Sequence, residues 1–245
     1  MDPHASLRPL SPFTLAQGGA ANRVAADTPE AVTLALKLGA DGIESVARRL
    51  ADGSVVARQQ GATGSALRRR SLGKLTVDQL PDTVMTVPRL LELIGPDAHL
   101  LLHVGDGETF EAVAEVLAVA ERTGETWIAT GSIDRLIEWR PRTDSRLILT
   151  QPPRRVGNGA ERLAAELRSA DIDGLGLFHQ DWTPGLVTML NRFGRCTFAW
   201  GAEHERELAL LFRSGVDAVS SAHPDRLAAV AASFADQPWA GHDGL

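Results

Sequence analysis

The chain has 245 residues, of which 44% are hydrophobic and 23% are charged, and its formal net charge at neutral pH is −6. This length suits one α/β barrel, and the acidic balance argues against a nucleic-acid partner, which needs a basic face. The single cysteine excludes an intrachain disulfide, and no apolar run approaches the roughly 20 residues of a membrane span. The first twelve residues lack a signal-peptide pattern. We therefore expect a cytoplasmic protein.

The first half of the chain alternates short apolar runs with helical stretches. Hydrophobic spacing and capping residues predict strands at 13–16, 41–44 and 99–104, and helices at 28–38, 88–94 and 109–122. After the second strand, the turn signal Asp52-Gly53 and an extended stretch at 54–58 predict a hairpin. Residues 61–87, rich in Gly, Arg, Thr and Ser, indicate a loop that carries one short helix at 77–80.

The second half repeats the alternation to the end of the chain. Strands are predicted at 126–130, 146–150, 174–178, 195–200 and 218–221, and helices at 133–139, 160–170, 184–193, 203–214 and 224–235. About eight strands, each followed by a helix, predict a single-domain α/β fold, a (β/α)8 TIM barrel spanning residues 1–245. An open doubly wound sheet is the alternative architecture. We expect loose tails at 1–12 and 236–245.

Several short segments form an ordered pattern along the whole chain. They are LGADGIE at 38–44 with Arg48 and Asp52-Gly53 behind it, VPRLLEL at 87–93, SID at 132–134, FAW at 198–200, and GVDAV at 215–219 with Pro224. Each segment alone is a weak signal, but the ordered set resembles the glycerophosphodiester phosphodiesterase family. The resemblance implies a TIM barrel, a phosphoric diester hydrolase reaction and a place in lipid metabolism.

The catalytic motifs of that family are largely replaced in this chain. Members typically carry H-R-G, E-N-T, E-x-D, H-D and E-x-K, whose acidic groups hold calcium or magnesium and whose histidines act as general acid and base. The matching positions here read Gln17-Gly18-Gly19, Ala26-Asp27-Thr28, Glu44 with Val46, Gln59-Gln60, and His103-Val104-Gly105. Of the acidic ligands only Glu44 survives, as a weak metal candidate, and glutamine cannot transfer a proton near neutral pH. The resemblance thus implies loss of the metal-dependent reaction.

The replacement residues still share a predicted location. In a TIM barrel the C-terminal strand ends form the ligand-facing rim. We expect there a set of amide, carboxylate, imidazole and aromatic side chains, namely Gln17, Glu44, Gln59, Gln60, His103 and Trp200. Such a set can bind a polyol, a sugar or a polar or phosphorylated headgroup. A relic pocket that holds only water is the open alternative.

Two residues of this set are catalytic candidates. Glu44 and His103 can in principle share acid–base work, and Asp106 is a possible second acidic neighbour of His103. No metal-ligand spacing surrounds His103, so we expect it to be hydrogen-bonded and partly buried rather than metal-bound. His179 and Asp181 form another rim pair, for which loop hydrogen bonding is expected.

Three functions remain open from the sequence. The first is a degenerate, non-hydrolytic phosphodiesterase-like protein that binds a small polar or phosphorylated ligand. The second is an active phosphoric diester hydrolase with a rearranged site around Glu44, His103 and His179, which would need a divalent cation such as calcium or magnesium. The third is an interaction or scaffold protein that retains only the fold. The sequence does not indicate the ligand or the oligomeric state.

Overall fold

The fold is a closed barrel of parallel strands surrounded by helices. The computed structural model describes residues 12–64, 69–151 and 159–234. The strands are β1 (Phe13–Gln17), β2 (Gly42–Arg49), β3 (Val55–Ala57), β4 (Ala62–Thr63), β5 (Arg70–Ser71), β6 (His99–His103), β7 (Thr126–Thr130), β8 (Arg146–Thr150), β9 (Gly174–Phe178), β10 (Cys196–Trp200) and β11 (Ala218–Ser221). The α-helices are α1 (Pro29–Lys37), α2 (Val87–Ile94), α3 (Gly107–Val119), α4 (Ile133–Trp139), α5 (Ala160–Ser169), α6 (Pro184–Arg192), α7 (Glu205–Ser214) and α8 (Pro224–Ala232).

The sheet closes on itself through its first strand. The hydrogen-bonded order runs β1, β2, β6, β7, β8, β9, β10, β11 and back to β1, and all of these pairings are parallel. This closure confirms the (β/α)8 prediction and rules out the open doubly wound sheet. The predicted tails fall almost entirely on residues 1–11 and 235–245, which lie outside the described residues. None of the described helices has the length and apolar character that crossing a membrane requires.

Two apolar layers follow from the alternation of side chains along each strand. Inward-facing positions form one cluster inside the barrel, which includes Leu15, Leu101, Ile148 and Phe198. Outward-facing positions pack under the helices in a larger cluster. Because successive strand residues point to opposite faces, the residue two positions beyond each interior residue lies at the barrel mouth. This geometry decides which side chains can meet in a site.

The N-terminal ends of the strands are tied together by aspartates, and this end of the barrel is here called the floor. Asp41, Asp173 and Asp217 each precede a barrel strand, in the similar segments ADGI, IDGL and VDAV. One oxygen of Asp217 accepts the backbone N–H and the hydroxyl of Thr197, both at 2.8 Å. Asp41 binds Thr14 in the same way, at 2.8 and 2.7 Å. These bonds hold neighbouring strands in register.

A hairpin-containing excursion follows the second barrel strand. β2 continues five residues beyond its predicted end at 44, because its outer half pairs antiparallel with β3. The predicted hairpin is therefore present. We call residues 50–84 the excursion. It has a small hydrophobic cluster of its own, formed by Leu50, Val56, Leu72, Leu75 and Val84, with Leu80 packed against it.

The predicted loop at 61–87 contains more structure than expected. The short helix is a 3-10 turn at Val77–Gln79, and a second one lies at Leu72–Lys74. The two-residue strands β4 and β5 also pair antiparallel. The turn at Leu72–Lys74 and the strands β4 and β5 could not be predicted from periodicity because each is only two or three residues long.

Capping moves several helix ends from their predicted positions. α3 begins at Gly107 rather than at 109 because the Asp106 carboxylate accepts the N–H of Thr109 at 2.8 Å. α7 begins at Glu205 rather than at 203, since Glu207 accepts the backbone N–H of His204 at 3.1 Å and that of Glu203 at 3.0 Å. The remaining helices agree with prediction to within a few residues.

Candidate functional site

Glu44 lies at the barrel mouth because of its register in β2. It is opposite Gln17 on β1 and opposite the interior residue Leu101 on β6. Its side chain therefore points into the mouth of the barrel, and the residue is only 3% exposed. The carboxylate that the sequence singled out is thus a buried group at the ligand-facing end.

Glu44 and His103 contact each other directly. His103 is the last residue of β6, and its Nε2 is 2.6 Å from Oε1 of Glu44. An ionised carboxylate only accepts hydrogen bonds, so Nε2 carries the shared proton when Glu44 is charged. Nδ1 of His103 has no partner among the described residues. The other carboxylate oxygen, Oε2, is buried and also lacks a hydrogen-bond partner among them.

A pocket of about 400 Å³ opens at these residues and is here called the strand-end pocket. Its lining comprises Gln17, Glu44, Ser45, Val46, Gln59, His103, Thr150 and Trp200. Five of the six side chains that the sequence placed at the rim therefore meet in one pocket. Gln60 is exposed and does not belong to this lining. Ser45, Val46 and Thr150 were not predicted, although Thr150 ends a strand whose interior position, Ile148, lies two residues earlier.

Trp200 reaches the pocket because a glycine makes room for it. A Cβ atom at Gly176 would be 3.1 Å from Cζ3 of Trp200 and 2.9 Å from the ring of Phe198. The neighbouring strand β9 thus has no side chain where the two aromatic rings of β10 lie. The indole forms one wall of the strand-end pocket.

A second buried carboxylate, Asp27, lies beside the pocket and was missed as a site residue. Its two oxygens accept the hydroxyl of Ser45 and the backbone N–H of Gln59, both at 2.8 Å. Burial raises the pKa of the Asp27 carboxyl above its ordinary value, although these hydrogen bonds act in the opposite direction. Its φ of 58° is left-handed, which aspartate tolerates better than most residues. Asp27 therefore orients two residues of the pocket lining, and no sequence pattern signalled this role.

A larger groove of about 1260 Å³ adjoins the pocket and is here called the side groove. It runs between the excursion and the loops after β6 and β7, and it shares Val46, His103 and Thr150 with the pocket. Arg48 lies on its wall and donates to the carbonyl oxygens of Arg58 at 3.2 Å and Gln59 at 2.6 Å. That guanidinium holds the hairpin against the pocket.

The donor set does not fit a calcium or magnesium ion. These cations bind about six or more oxygen atoms, usually including several carboxylates. Glu44 is the only carboxylate in the pocket lining, and one of its oxygens is engaged by His103. Val46 offers only methyl groups. Within the described ranges, no group of three His, Cys, Asp or Glu side chains is arranged to hold a metal ion.

The other sequence candidates have local structural contacts. Asp106 is not a second acidic partner of His103. Its two carboxylate oxygens instead accept hydrogen bonds from the backbone N–H and the hydroxyl of Thr109 at the start of α3. His179 and Asp181 form a 3-10 turn after β9, and Thr183 caps the next helix, as expected. The hydrogen bonding expected of the pair is not found at Oδ2 of Asp181, which is buried without a partner among the described residues. Burial raises the pKa of Asp181, and the nearby His179 opposes this shift.

The glycine pair after β1 forms a tight turn. Gly18 donates its N–H to the carbonyl of Glu44 at 2.8 Å, and Gly19 donates to Ala16 at 3.4 Å. A Cβ atom at Gly19 would lie 2.5 Å from the backbone of Ala31. Both amide groups are already in use, so the turn requires glycine for its backbone path and not for binding a phosphate.

Comparison with solved structures identifies similar folds. The chain is 17% identical to a glycerophosphodiester phosphodiesterase from Thermotoga maritima, covering 87% of this chain and 96% of that one with a TM-score of 0.76. An Oleispira antarctica phosphodiesterase, solved with its product sn-glycerol-3-phosphate, is 17% identical, with coverages of 93% and 98% and a TM-score of 0.76. A glycerophosphodiester phosphodiesterase from Parabacteroides distasonis is 15% identical to this chain. The match covers 92% of this chain and 98% of that one, with a TM-score of 0.74.

These comparisons confirm the resemblance at the level of the fold. No family model and no curated protein matches the sequence. The chain has the barrel of the glycerophosphodiester phosphodiesterase structures over nearly its whole length, with a strongly diverged sequence.

Proposed function

We propose that this chain is a divergent relative of the glycerophosphodiester phosphodiesterases that has lost metal-dependent hydrolysis and binds a small polar or phosphorylated ligand in the strand-end pocket. The contact between Glu44 and His103 carries this proposal. Hydrolysis of a phosphodiester requires neutralisation of charge on the phosphoryl oxygens and a proton for the leaving alkoxide. The surviving carboxylate instead contacts an imidazole at 2.6 Å, and its neighbours are amides and a valine.

The shape and chemistry of the pocket support ligand binding. Its volume of about 400 Å³ lies within the usual range of small-molecule sites, and its polar groups converge from several strands. The pocket is also at the barrel end where TIM-barrel enzymes bind their substrates. The cytoplasmic location expected from the sequence remains part of this proposal.

Hydrolysis is tested with purified protein. Glycerophosphocholine and bis(4-nitrophenyl) phosphate would be incubated with calcium, magnesium, manganese or zinc, beside the Glu44→Ala variant and a phosphodiesterase of known activity. We expect the chain to release no more product than the variant does. Cation-dependent turnover that disappears in Glu44→Ala would contradict the proposal.

A rearranged hydrolase is the second candidate, and one observation favours it. Nδ1 of His103 has no partner among the described residues, and Nε2 contacts a carboxylate, an arrangement that can orient an imidazole for proton transfer. This candidate predicts product release that needs a divalent cation, that a chelator prevents and that His103→Asn abolishes. Thermal unfolding with ligands addresses the third possibility, a scaffold, because a ligand that binds only the native state raises its stability.

A further inference from the structure

We infer that the strand-end pocket selects an uncharged, polyhydroxylated ligand, a polyol or a sugar, over a phosphorylated one. The inference rests on the proposed function, because it presupposes that the pocket binds a ligand, and it specifies the chemical class of that ligand. Three features carry it: an excess of hydrogen-bond acceptors, the charge of the lining, and one aromatic wall.

The pocket lining offers acceptors that lack donors. Oε2 of Glu44 is buried without a partner among the described residues. Ser45 donates its hydroxyl proton to Asp27 at 2.8 Å, so only its oxygen lone pairs remain for a ligand. In the neutral imidazole, Nδ1 of His103 is an acceptor when Nε2 carries the proton shared with Glu44. A ligand that fills the pocket must therefore donate hydrogen bonds, since buried acceptors without donors cost free energy.

The charge of the lining disfavours a phosphate group. No lysine or arginine belongs to the lining, and Glu44 brings a carboxylate into it. Arg48, a nearby cation, already donates to the carbonyl oxygens of Arg58 and Gln59. A phosphate has only acceptors at neutral pH, apart from a single acidic proton, and it would lie against Glu44 with no arginine fork to bind it.

The amides distinguish a polyol from an ammonium ligand, which would also satisfy Glu44. Gln17 and Gln59 each present both a carbonyl oxygen and an NH₂ group, and Thr150 adds a hydroxyl. An ammonium group only donates, so it would leave the NH₂ groups of both glutamines without acceptors. A hydroxyl both donates and accepts, so a ligand with several hydroxyls can match the whole lining. The indole of Trp200 supplies a flat wall for the C–H face of such a molecule.

The test compares ligand classes by calorimetric titration of the purified full-length chain. The arms are glycerol, myo-inositol and glucose as neutral ligands, sn-glycerol-3-phosphate and inorganic phosphate as anions, and ethanolamine as a cation. We expect at least one neutral ligand to bind about tenfold more tightly than either anion and than ethanolamine, because a hydrogen bond to a charged acceptor contributes about that factor.

Matched variants locate the binding. Glu44→Gln should weaken binding of the neutral ligand by about tenfold, whereas Glu166→Gln, the same change on the exposed surface of α5, should leave it unchanged. Trp200→Leu provides a second variant on a different wall and should also weaken binding. The circular dichroism spectrum and the unfolding midpoint of each variant establish that it is folded. Unchanged affinity in both pocket variants would overturn the inference.

The outcomes separate this inference from the proposed function. Tighter binding of glycerol phosphate, inorganic phosphate or ethanolamine than of every neutral ligand overturns the inference and leaves ligand binding in place. Absence of binding in every arm overturns both. Cation-dependent turnover in the hydrolysis assay would contradict the proposed function by itself, whether or not the neutral ligands bind.

Discussion

The buried carboxylates at the two ends of the barrel differ in how completely their oxygens are hydrogen-bonded. At the floor, Asp173 and Asp217 are buried, and neither has a fully buried oxygen that lacks a hydrogen-bond partner among the described residues. At the rim, Oε2 of Glu44 and Oδ2 of Asp181 are buried without one. A fully bonded carboxylate stabilises the fold, whereas a partly bonded one costs free energy that the rest of the structure must offset. The floor therefore serves stability, and the rim keeps polar groups available for a ligand.

The largest expected effect comes from breaking a floor contact. Asp217→Ala leaves the N–H and the hydroxyl of Thr197 without their acceptor in a fully buried place, so we expect the free energy of unfolding to fall by about 3 kcal/mol. Urea denaturation measures this change. Asp97→Ala, at an exposed position, is the matched control and should change stability by less than about 0.5 kcal/mol. If the free energy of unfolding falls equally in the two variants, Asp217 does not have the stabilising role that its contacts with Thr197 predict.

A smaller effect is expected at the rim. Glu44→Gln keeps an acceptor for Nε2 of His103 and removes a buried charge that lacks one partner, so the free energy of unfolding should stay within about 1 kcal/mol of the parent chain. The same urea titration compares it with Asp217→Ala. A loss as large as that of the floor variant would mean that Glu44 is a structural residue and that the contrast between the two ends is false.

The smallest expected effect is a change in pH dependence at Asp27. Burial raises the native pKa of this carboxyl above its unfolded value, so the unfolded chain loses the proton first as the pH rises. The contribution of Asp27 to stability is therefore most favourable below the unfolded pKa, and it declines as the pH rises through the native pKa.

Asp27→Asn removes this titration. Its side chain can still accept the N–H of Gln59 and can donate to the hydroxyl oxygen of Ser45. Relative to the variant, the parent chain should lose stability between the unfolded and native pKa values, which thermal unfolding at a series of pH values measures. A difference between the two chains that stays constant or grows in the parent's favour with rising pH would contradict the assigned direction.

Much of the fold was predictable because it follows from local sequence patterns. The strands at 126–130, 146–150, 174–178 and 218–221 have the predicted bounds, since each is a short apolar run between a helix end and a polar rim. The closure of the barrel followed from the number of repeated units. The excursion was predicted less completely, because its short strands and turns depend on contacts with one another rather than on periodicity.

The candidate site was predictable only in part. Strand register brought Gln17, Glu44, His103 and Trp200 together, as their positions at strand ends predicted. Gln59 and Gln60 are adjacent in sequence, and only the fold shows that one lines the pocket and the other faces solvent. The contact between Glu44 and His103 joins residues 59 positions apart, and it depends on side-chain torsions that no sequence pattern encodes.

The small separate cluster in the excursion has a consequence for how the molecule opens. Leu72 and Leu75 pack within this cluster, whereas Val55 and Ala57 of β3 pack in the larger cluster under the helices, so the turns around Leu72 and Leu75 can detach while β3 and the eight-stranded barrel remain folded. In a hydrogen-exchange experiment the hydrogen-bonded amides of Leu72 and Leu75 should therefore exchange through a low-energy, sub-global opening, and those of β10 only through global unfolding. Such a local opening would expose the side groove, which Leu72 and Gly73 help to line, at a rate that does not depend on the rate of global unfolding.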